Sequence, residues 1–82
     1  MIRVRVKLFA VARDIVGAGE TTLSLPPSSS SADVLNMLVE TYPLLSRWKE
    51  YLRLAVNCEY VHSNYTLHDN DEVAIIPPVS GG

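Results

Sequence analysis

The first residues of the chain alternate between apolar and charged side chains. Between Ile2 and Leu8 every second residue is apolar, and the residues between them are Arg or Lys. A period of two predicts a strand with one buried and one solvated face. Residues 9–16 predict a short helix that ends at Gly17. Thr21–Leu25 then alternates again, which predicts a second strand paired with the first.

The pattern changes to a helical one after residue 25. Two prolines and a run of four serines interrupt the sheet pattern. Ser30, followed three residues later by Asp33, predicts a capping box at the start of a helix. Pro43 predicts its end. The apolar stripe expected to face the core consists of Leu35, Leu38, Val39 and Tyr42.

The last third of the chain predicts more strands. Residues 44–52 indicate irregular structure or a short helical turn, and Leu67 is expected to anchor the following loop in the core. Residues 57–59 and 69–71 predict turns. The predicted strands are Leu54–Val56, a short return at Tyr60–Val61, and Val73–Ile76. The order predicts an α+β fold, with a mixed sheet of about five strands covered by one main helix. The first and last strands are expected at the sheet centre.

Composition narrows the class of protein. With 82 residues and 48% hydrophobic content, the chain is predicted to form one folded domain. Its formal charge is −2 and it has no basic run, which disfavours nucleic-acid binding. The single cysteine rules out an internal disulfide, and no zinc-ligand spacing occurs. With neither a signal peptide nor a membrane-length apolar run, we expect a cytoplasmic protein that does not bind membranes.

The carboxyl terminus carries the candidate chemistry. The two prolines at 77 and 78 cannot extend a ladder, so we predict a domain over residues 1–76 and an extended tail over 77–82. Gly81 and Gly82 would let the tail enter a narrow channel of another protein. A carboxylate needs activation, typically by ATP and Mg²⁺, and no phosphate-binding loop occurs in the sequence. We therefore expect a separate activating enzyme and no cofactor bound by this chain. The alternative is that Gly-Gly is merely a disordered end.

Four segments resemble the small subunits of molybdopterin synthase. They are Lys7–Ala10 with Arg13 and Val16-Gly17, Ala55–Asn57, Leu67–Ala74, and Pro77–Gly82. The most specific part is the ending PPVSGG together with the preceding DNDEVA. Two departures are small, because Asn70 replaces a turn glycine that Asn can mimic and Ser80 replaces a frequent threonine.

This resemblance implies a β-grasp, ubiquitin-like fold and a sulfur carrier. It implies that an E1-like enzyme adenylates Gly82 and converts it to a thiocarboxylate. The tail would then enter the large synthase subunit, in a heterotetramer, and donate sulfur to cyclic pyranopterin monophosphate to form the dithiolene of molybdopterin. The chain would be a non-catalytic subunit, because the catalytic side chains would belong to the large subunit.

The resemblance also implies partner-binding residues. Phe9, Tyr60 and Ile76 match an exposed apolar patch that would dock on the large subunit and the activating enzyme. The alternative is that Phe9 and Ile76 belong to the core. Arg13 is an interface candidate, or else an ordinary surface charge of a helix. The remaining candidates are tail residues: Pro77, Pro78, Val79 and Ser80, with Gly81 and Gly82 as the reactive end.

Other functions stay open at this point. A sulfur carrier for thiamine synthesis or tRNA thiolation would share the fold and the Gly-Gly end. A ubiquitin-like modifier would form conjugates on partner lysines, and a simple interaction domain would not need Gly81 and Gly82. Cys58 is favoured as a structural residue over a persulfide carrier, and His62 and His68 as loop residues over metal ligands.

Overall fold

The fold is one five-stranded mixed sheet with helices packed on one face. The computed structural model describes residues 1–78. The elements follow in the order β1 (Ile2–Leu8), α1 (Ala10–Val16), β2 (Glu20–Leu25), α2 (Ser31–Thr41), a 3₁₀ helix (Pro43–Arg47), β3 (Arg53–Val56), β4 (Glu59–Tyr60) and β5 (Glu72–Ile76). The strand order across the sheet is β2-β1-β5-β3-β4. The predicted α+β class, with β1 and β5 at the centre, is confirmed.

Strand pairing follows the period of two. β1 pairs antiparallel with β2 and parallel with β5, and β5 pairs antiparallel with β3. Parallel β1 and β5 need a long crossover, and the chain between them supplies α2 and the rest of the sheet. Because Leu8 lies beside Ile75, the carboxyl ends of β1 and β5 meet at the same end of the sheet.

The core lies between the sheet and α2. Alternate residues of the central strands are buried there, including Val6, Val73 and Ile75, none of which is exposed. From α2 the most deeply buried apolar side chains are Val34 and Leu38. Of the predicted stripe, Leu35 and Leu38 are buried, and Val39 and Tyr42 are half-buried against the core. The prediction left out Val34.

Two local predictions about α2 and its flanks are confirmed. The carboxylate of Asp33 accepts a hydrogen bond from the backbone N–H of Ser30 at 2.8 Å, which completes one half of the capping box. Tyr42 caps the carboxyl end of α2, and Pro43 starts the 3₁₀ helix. Ser31, which no pattern distinguished, is fully buried, and its hydroxyl donates to the carbonyl of His62 at 2.6 Å.

Within residues 1–78, no helix has both the length and the apolarity needed to cross a membrane.

Candidate functional site

Within residues 1–78, one face of the sheet is not covered by helices, and we call it the open face. It carries the outward-pointing residues of β2, β1, β5, β3 and β4. The register puts Lys7 beside Ala74, Ala74 beside Ala55, and Ala55 beside Tyr60. These four residues form a row across the sheet that is charged at one end and aromatic at the other.

Phe9 continues the outward alternation of β1. Its backbone is extended, with φ −126° and ψ 153°, and it follows Leu8, whose side chain is buried. Its side chain is 47% exposed, so Phe9 is not a core residue. Ala10 then has a positive φ of 50°, a backbone conformation that costs a residue with a Cβ about 1–2 kcal/mol. This turn starts α1 immediately after Phe9 and ends the strand there.

Ile76 lies at the same end of the sheet as Phe9. It is half-buried, whereas its neighbour Ile75 is fully buried, so the two isoleucines point to opposite faces. The register places Ile76 beside Arg53. Since β1 and β5 are parallel and Leu8 lies beside Ile75, Phe9 comes at the level of Ile76.

Tyr60 is positioned by a tight hairpin. Asn57 and Cys58 both have positive φ, 50° and 71°, which a type I′ turn between two strands requires. The turn places Tyr60 on the open face, where it is 59% exposed. The guanidinium carbon of Arg53 lies 4.2 Å from the centre of the Tyr60 ring, a stacking distance that holds both side chains against the sheet.

The predicted tail begins at the same end of the sheet. β5 ends at Ile76; Pro77 is buried and Pro78 is exposed. Of these two prolines, Pro78 is therefore the one whose side chain a partner can reach. The predicted partner-binding residues Val79 and Ser80 and the predicted reactive glycines Gly81 and Gly82 lie outside the described residues.

Arg13 is exposed on α1. Its carbonyl accepts a hydrogen bond from the N–H of Gly17 at 2.8 Å, and Gly17 has the left-handed conformation that closes the helix. The guanidinium lies over Gly19, where an added Cβ would come 3.6 Å from its Nε. Arg13 is thus free to contact a partner, and no contact joins it to the row on the open face among those described.

Charged side chains border the apolar residues of the open face. Arg3, Arg5 and Lys7 are the outward residues of β1. The carboxylate of Glu72 lies between two of them, 3.6 Å from the Arg5 guanidinium and 3.8 Å from the Lys7 ammonium. All these side chains are partly exposed, so the ion pairs add little stability.

Two of the four family-like segments, Ala55–Asn57 and Leu67–Ala74, meet at the opposite end of β5. The side-chain amide of Asn57 donates to Asp71 at 3.0 Å, and the N–H of Glu72 donates to the amide oxygen of Asn57 at 3.1 Å. Asp71 also accepts from the N–H of His68 at 2.8 Å. Asp71 lies in the predicted turn 69–71, where a charged side chain is ordinarily solvated, yet it is only 8% exposed. In these two segments the family-like residues Asn57 and Asp71 therefore stabilise the turn.

The other polar candidates stay at the surface. Cys58 is an exposed free thiol in the hairpin turn. His62 and His68 are exposed loop residues. Among residues 1–78 no cluster of three His, Cys, Asp or Glu side chains is suited to hold a metal ion.

A groove beside α2 was not anticipated from the sequence. It runs between the first turns of α2, the segment after the 3₁₀ helix and the start of β3. Its apolar wall consists of Leu35, Leu52, Leu54 and Val61, and Lys49 and Glu50 stand at its rim. The hydrophobic pattern of the sequence does not predict this groove, because each of these leucines also fits an ordinary core position.

Comparison with known proteins gives a family match along nearly the whole chain. Residues 6–82 match the ThiS family. The molybdopterin synthase sulfur carrier subunit of Arabidopsis thaliana is 38% identical over 81 residues, which cover 99% of this chain and 84% of the relative. The resemblance read from the four sequence segments is confirmed.

Solved structures share the fold. The small archaeal modifier protein 1 of Methanosarcina acetivorans is 30% identical, with a TM-score of 0.82 over 100% of this chain and 98% of that protein. A complex of subunits 1 and 2 of the molybdopterin-converting factor from Helicobacter pylori contains a chain with a TM-score of 0.70. That chain is 21% identical, over 99% of this chain and 100% of its own length. This last likeness is one of fold alone.

Proposed function

The chain belongs to the ThiS family, and on that basis we propose that it is the sulfur carrier subunit of a molybdopterin synthase. The observation that carries the proposal is the extent of the match. The family match includes Gly82, and relatives at 32–38% identity over 95% or more of this chain are named molybdopterin synthase sulfur carrier subunits.

In the proposed reaction the terminal carboxylate of Gly82 is the working group. A carboxylate is a poor electrophile, so an E1-like enzyme with ATP and Mg²⁺ first forms the acyl adenylate and releases pyrophosphate. A sulfur donor then displaces AMP and leaves a thiocarboxylate. The thiocarboxylate donates its sulfur to cyclic pyranopterin monophosphate, and hydrolysis returns the carboxylate. Positioning and charge stabilisation come from the partner's pocket.

The open face supports the docking part of the proposal. Phe9, Tyr60 and Ile76 are exposed or half-exposed on one face, and β5 leads from this face directly to Pro78 and the glycine end. A partner that binds the face therefore receives the terminus at a defined starting point. We propose that the large synthase subunit and the activating enzyme both bind here.

Intact-mass spectrometry tests the chemistry. The full chain is incubated with the activating enzyme of the molybdenum pathway, ATP, Mg²⁺ and a sulfur donor. We expect a mass gain equal to one oxygen replaced by sulfur, and no gain in a variant that lacks Gly81 and Gly82. Adding the large subunit and cyclic pyranopterin monophosphate should then return the original mass and yield molybdopterin. No mass gain, with the enzyme active on a known carrier, would contradict the proposal.

A matched pair of variants tests the docking. Phe9→Asp should fold normally and weaken binding to the large subunit by at least about tenfold, since it puts a charge in an apolar contact. Leu44→Asp is the control, because Leu44 is 64% exposed but lies on the 3₁₀ helix. Calorimetry measures the affinity of both variants for the large subunit. Equal affinities would mean that Phe9 is not part of the interface.

A second function has its own supporting observation. The archaeal modifier protein is 30% identical over nearly the full length of both chains. A modifier would use the same adenylated Gly82 to form an amide with a lysine of another protein. Conjugates of higher mass that depend on Gly82, in an extract supplied with ATP, would support that function; their absence alongside thiocarboxylate formation would favour the sulfur carrier.

A further inference from the structure

The charges of this chain are divided unequally between its two sides. Four of the seven basic residues point outward from the sheet, on β1 and β3, and only two of the nine acidic residues accompany them. The basic residues are Arg3, Arg5, Lys7 and Arg53; the acidic ones are Glu20 and Glu72. The rest of the molecule holds the other three bases and seven acids. The open face is therefore cationic although the whole chain has a formal charge of −2.

These cations border the apolar residues from two directions. On β1 they occupy alternate positions, which places neighbouring charges about 7 Å apart along the strand. Arg53 stands on the other side, beside Ile76, with its guanidinium over the ring of Tyr60. A partner that covers Ile76 and Tyr60 must also lie over Arg53, and one that extends across β5 to Phe9 reaches Lys7 on β1 as well.

Glu72 offsets part of this charge. Its single carboxylate lies between Arg5 and Lys7, so one negative charge faces two positive ones. The side chains of Arg5 and Lys7 stay 52% and 42% exposed, and both remain accessible to a further acidic group. Arg53 stacks on Tyr60. Within residues 1–78, no acidic side chain forms an ion pair with it.

We propose that the large subunit binds the open face with an acidic surface, whose carboxylates pair with Lys7 and Arg53 on the two sides of β5. The inference rests on the proposed function, because it names the chemistry of the surface that receives this chain. Covering several cations with a neutral surface would remove them from water without compensation, which is costly. Complementary charge removes that cost and accelerates encounter.

Association kinetics with the purified large subunit test the inference. Rates are measured for the full-length chain by stopped flow at increasing NaCl concentration. We expect the association rate constant to fall at least about tenfold between roughly 0.05 M and 0.5 M salt. Lys7→Glu and Arg53→Glu should each lower the rate about tenfold at low salt and flatten its salt dependence. Glu72→Gln should raise it, because it frees both neighbouring cations.

The chain offers matched controls for each reversal. Lys49→Glu and Arg47→Glu change the same residue types outside the sheet, on or just after the 3₁₀ helix, and should leave the rate within about twofold. Circular dichroism and urea unfolding check that every variant is folded. If Lys7→Glu and Lys49→Glu slow association equally, the effect is one of net charge and the inference is wrong.

The outcomes separate this inference from the function on which it rests. Binding of the wild-type chain without salt dependence would overturn the acidic-surface inference alone. Absence of any binding, together with no thiocarboxylate formation, would overturn the proposed function as well. If the chain bound single-stranded RNA in a salt-dependent way but did not bind the large subunit, the cations would form a nucleic-acid site. That result would also overturn the inference.

Discussion

The two faces of the sheet differ in what their side chains do. On the covered face Val6, Val73 and Ile75 are fully buried under α2. On the open face the same strands present Lys7, Glu72 and Ile76, none of them fully buried. Because side chains alternate along a strand, neighbouring residues of one strand belong to different environments.

This difference separates stability from recognition in a very small domain. A chain of 82 residues has only one core, so the covered face must supply most of the folding free energy. The open face is left to carry charge, an aromatic ring and half-buried apolar groups. The variants below test that separation, beginning with the largest expected effect.

The largest effect is expected from a pair of adjacent isoleucines. Ile75→Ala removes a fully buried side chain between Leu8 and Leu54 and should lower the free energy of unfolding by about 2–5 kcal/mol. Ile76→Ala, the same change one residue later on the open face, should cost about 1 kcal/mol or less. Urea denaturation measures both, and equal losses would mean that the two faces share the stabilising role.

A second pair of residues tests the turn before β5. Asp71→Ala leaves the N–H of His68 and the amide of Asn57 without their acceptor and should cost about 1–3 kcal/mol. The control is Asp69→Ala, because Asp69 is exposed and accepts one bond, from the N–H of Arg3 at 2.8 Å. That variant should lose about 1 kcal/mol or less. Thermal unfolding measures both variants. A larger loss of stability for Asp69→Ala than for Asp71→Ala would mean that Asp71 is not the main stabilising residue of this turn.

A stabilising effect is expected at the hairpin turn. Cys58 has a φ of 71°, where a Cβ costs about 1–2 kcal/mol. Cys58→Gly removes that cost but loses more chain entropy on folding, so we expect a net gain of about 0.5–1 kcal/mol. Cys58→Ala keeps the Cβ and should change stability by less than about 0.3 kcal/mol. If Ala stabilises as much as Gly, the thiol rather than the backbone limits stability.

The smallest effect on stability is expected at the centre of the open face. Glu72→Gln breaks two partly exposed ion pairs, with Arg5 and Lys7, and should change the free energy of unfolding by about 0.5 kcal/mol or less. Equilibrium unfolding at low and high salt measures it. A loss above about 1.5 kcal/mol would show that the open face also stabilises the fold, and the contrast between the faces would fail.

Local patterns were sufficient to predict the elements. The alternation of Ile2–Leu8, the capping box at Ser30 and the proline at 43 depend on residues close in sequence, so each could be recognised without knowledge of the fold. The predicted turn at 69–71 agrees with the positive φ of Asn70, 70°. The family was also visible in the sequence, because its specific residues lie in short contiguous segments.

Only the tertiary structure decided which residues share a face and which polar groups are buried. The burial of Asp71 depends on Asn57, fourteen residues away, and the stacking of Arg53 on Tyr60 depends on the hairpin register. The sequence by itself determined the elements, the family and the glycine end, because those follow from local chemistry. The cationic open face required the parallel pairing of β1 and β5 and the packing of α2, which join residues distant in the chain.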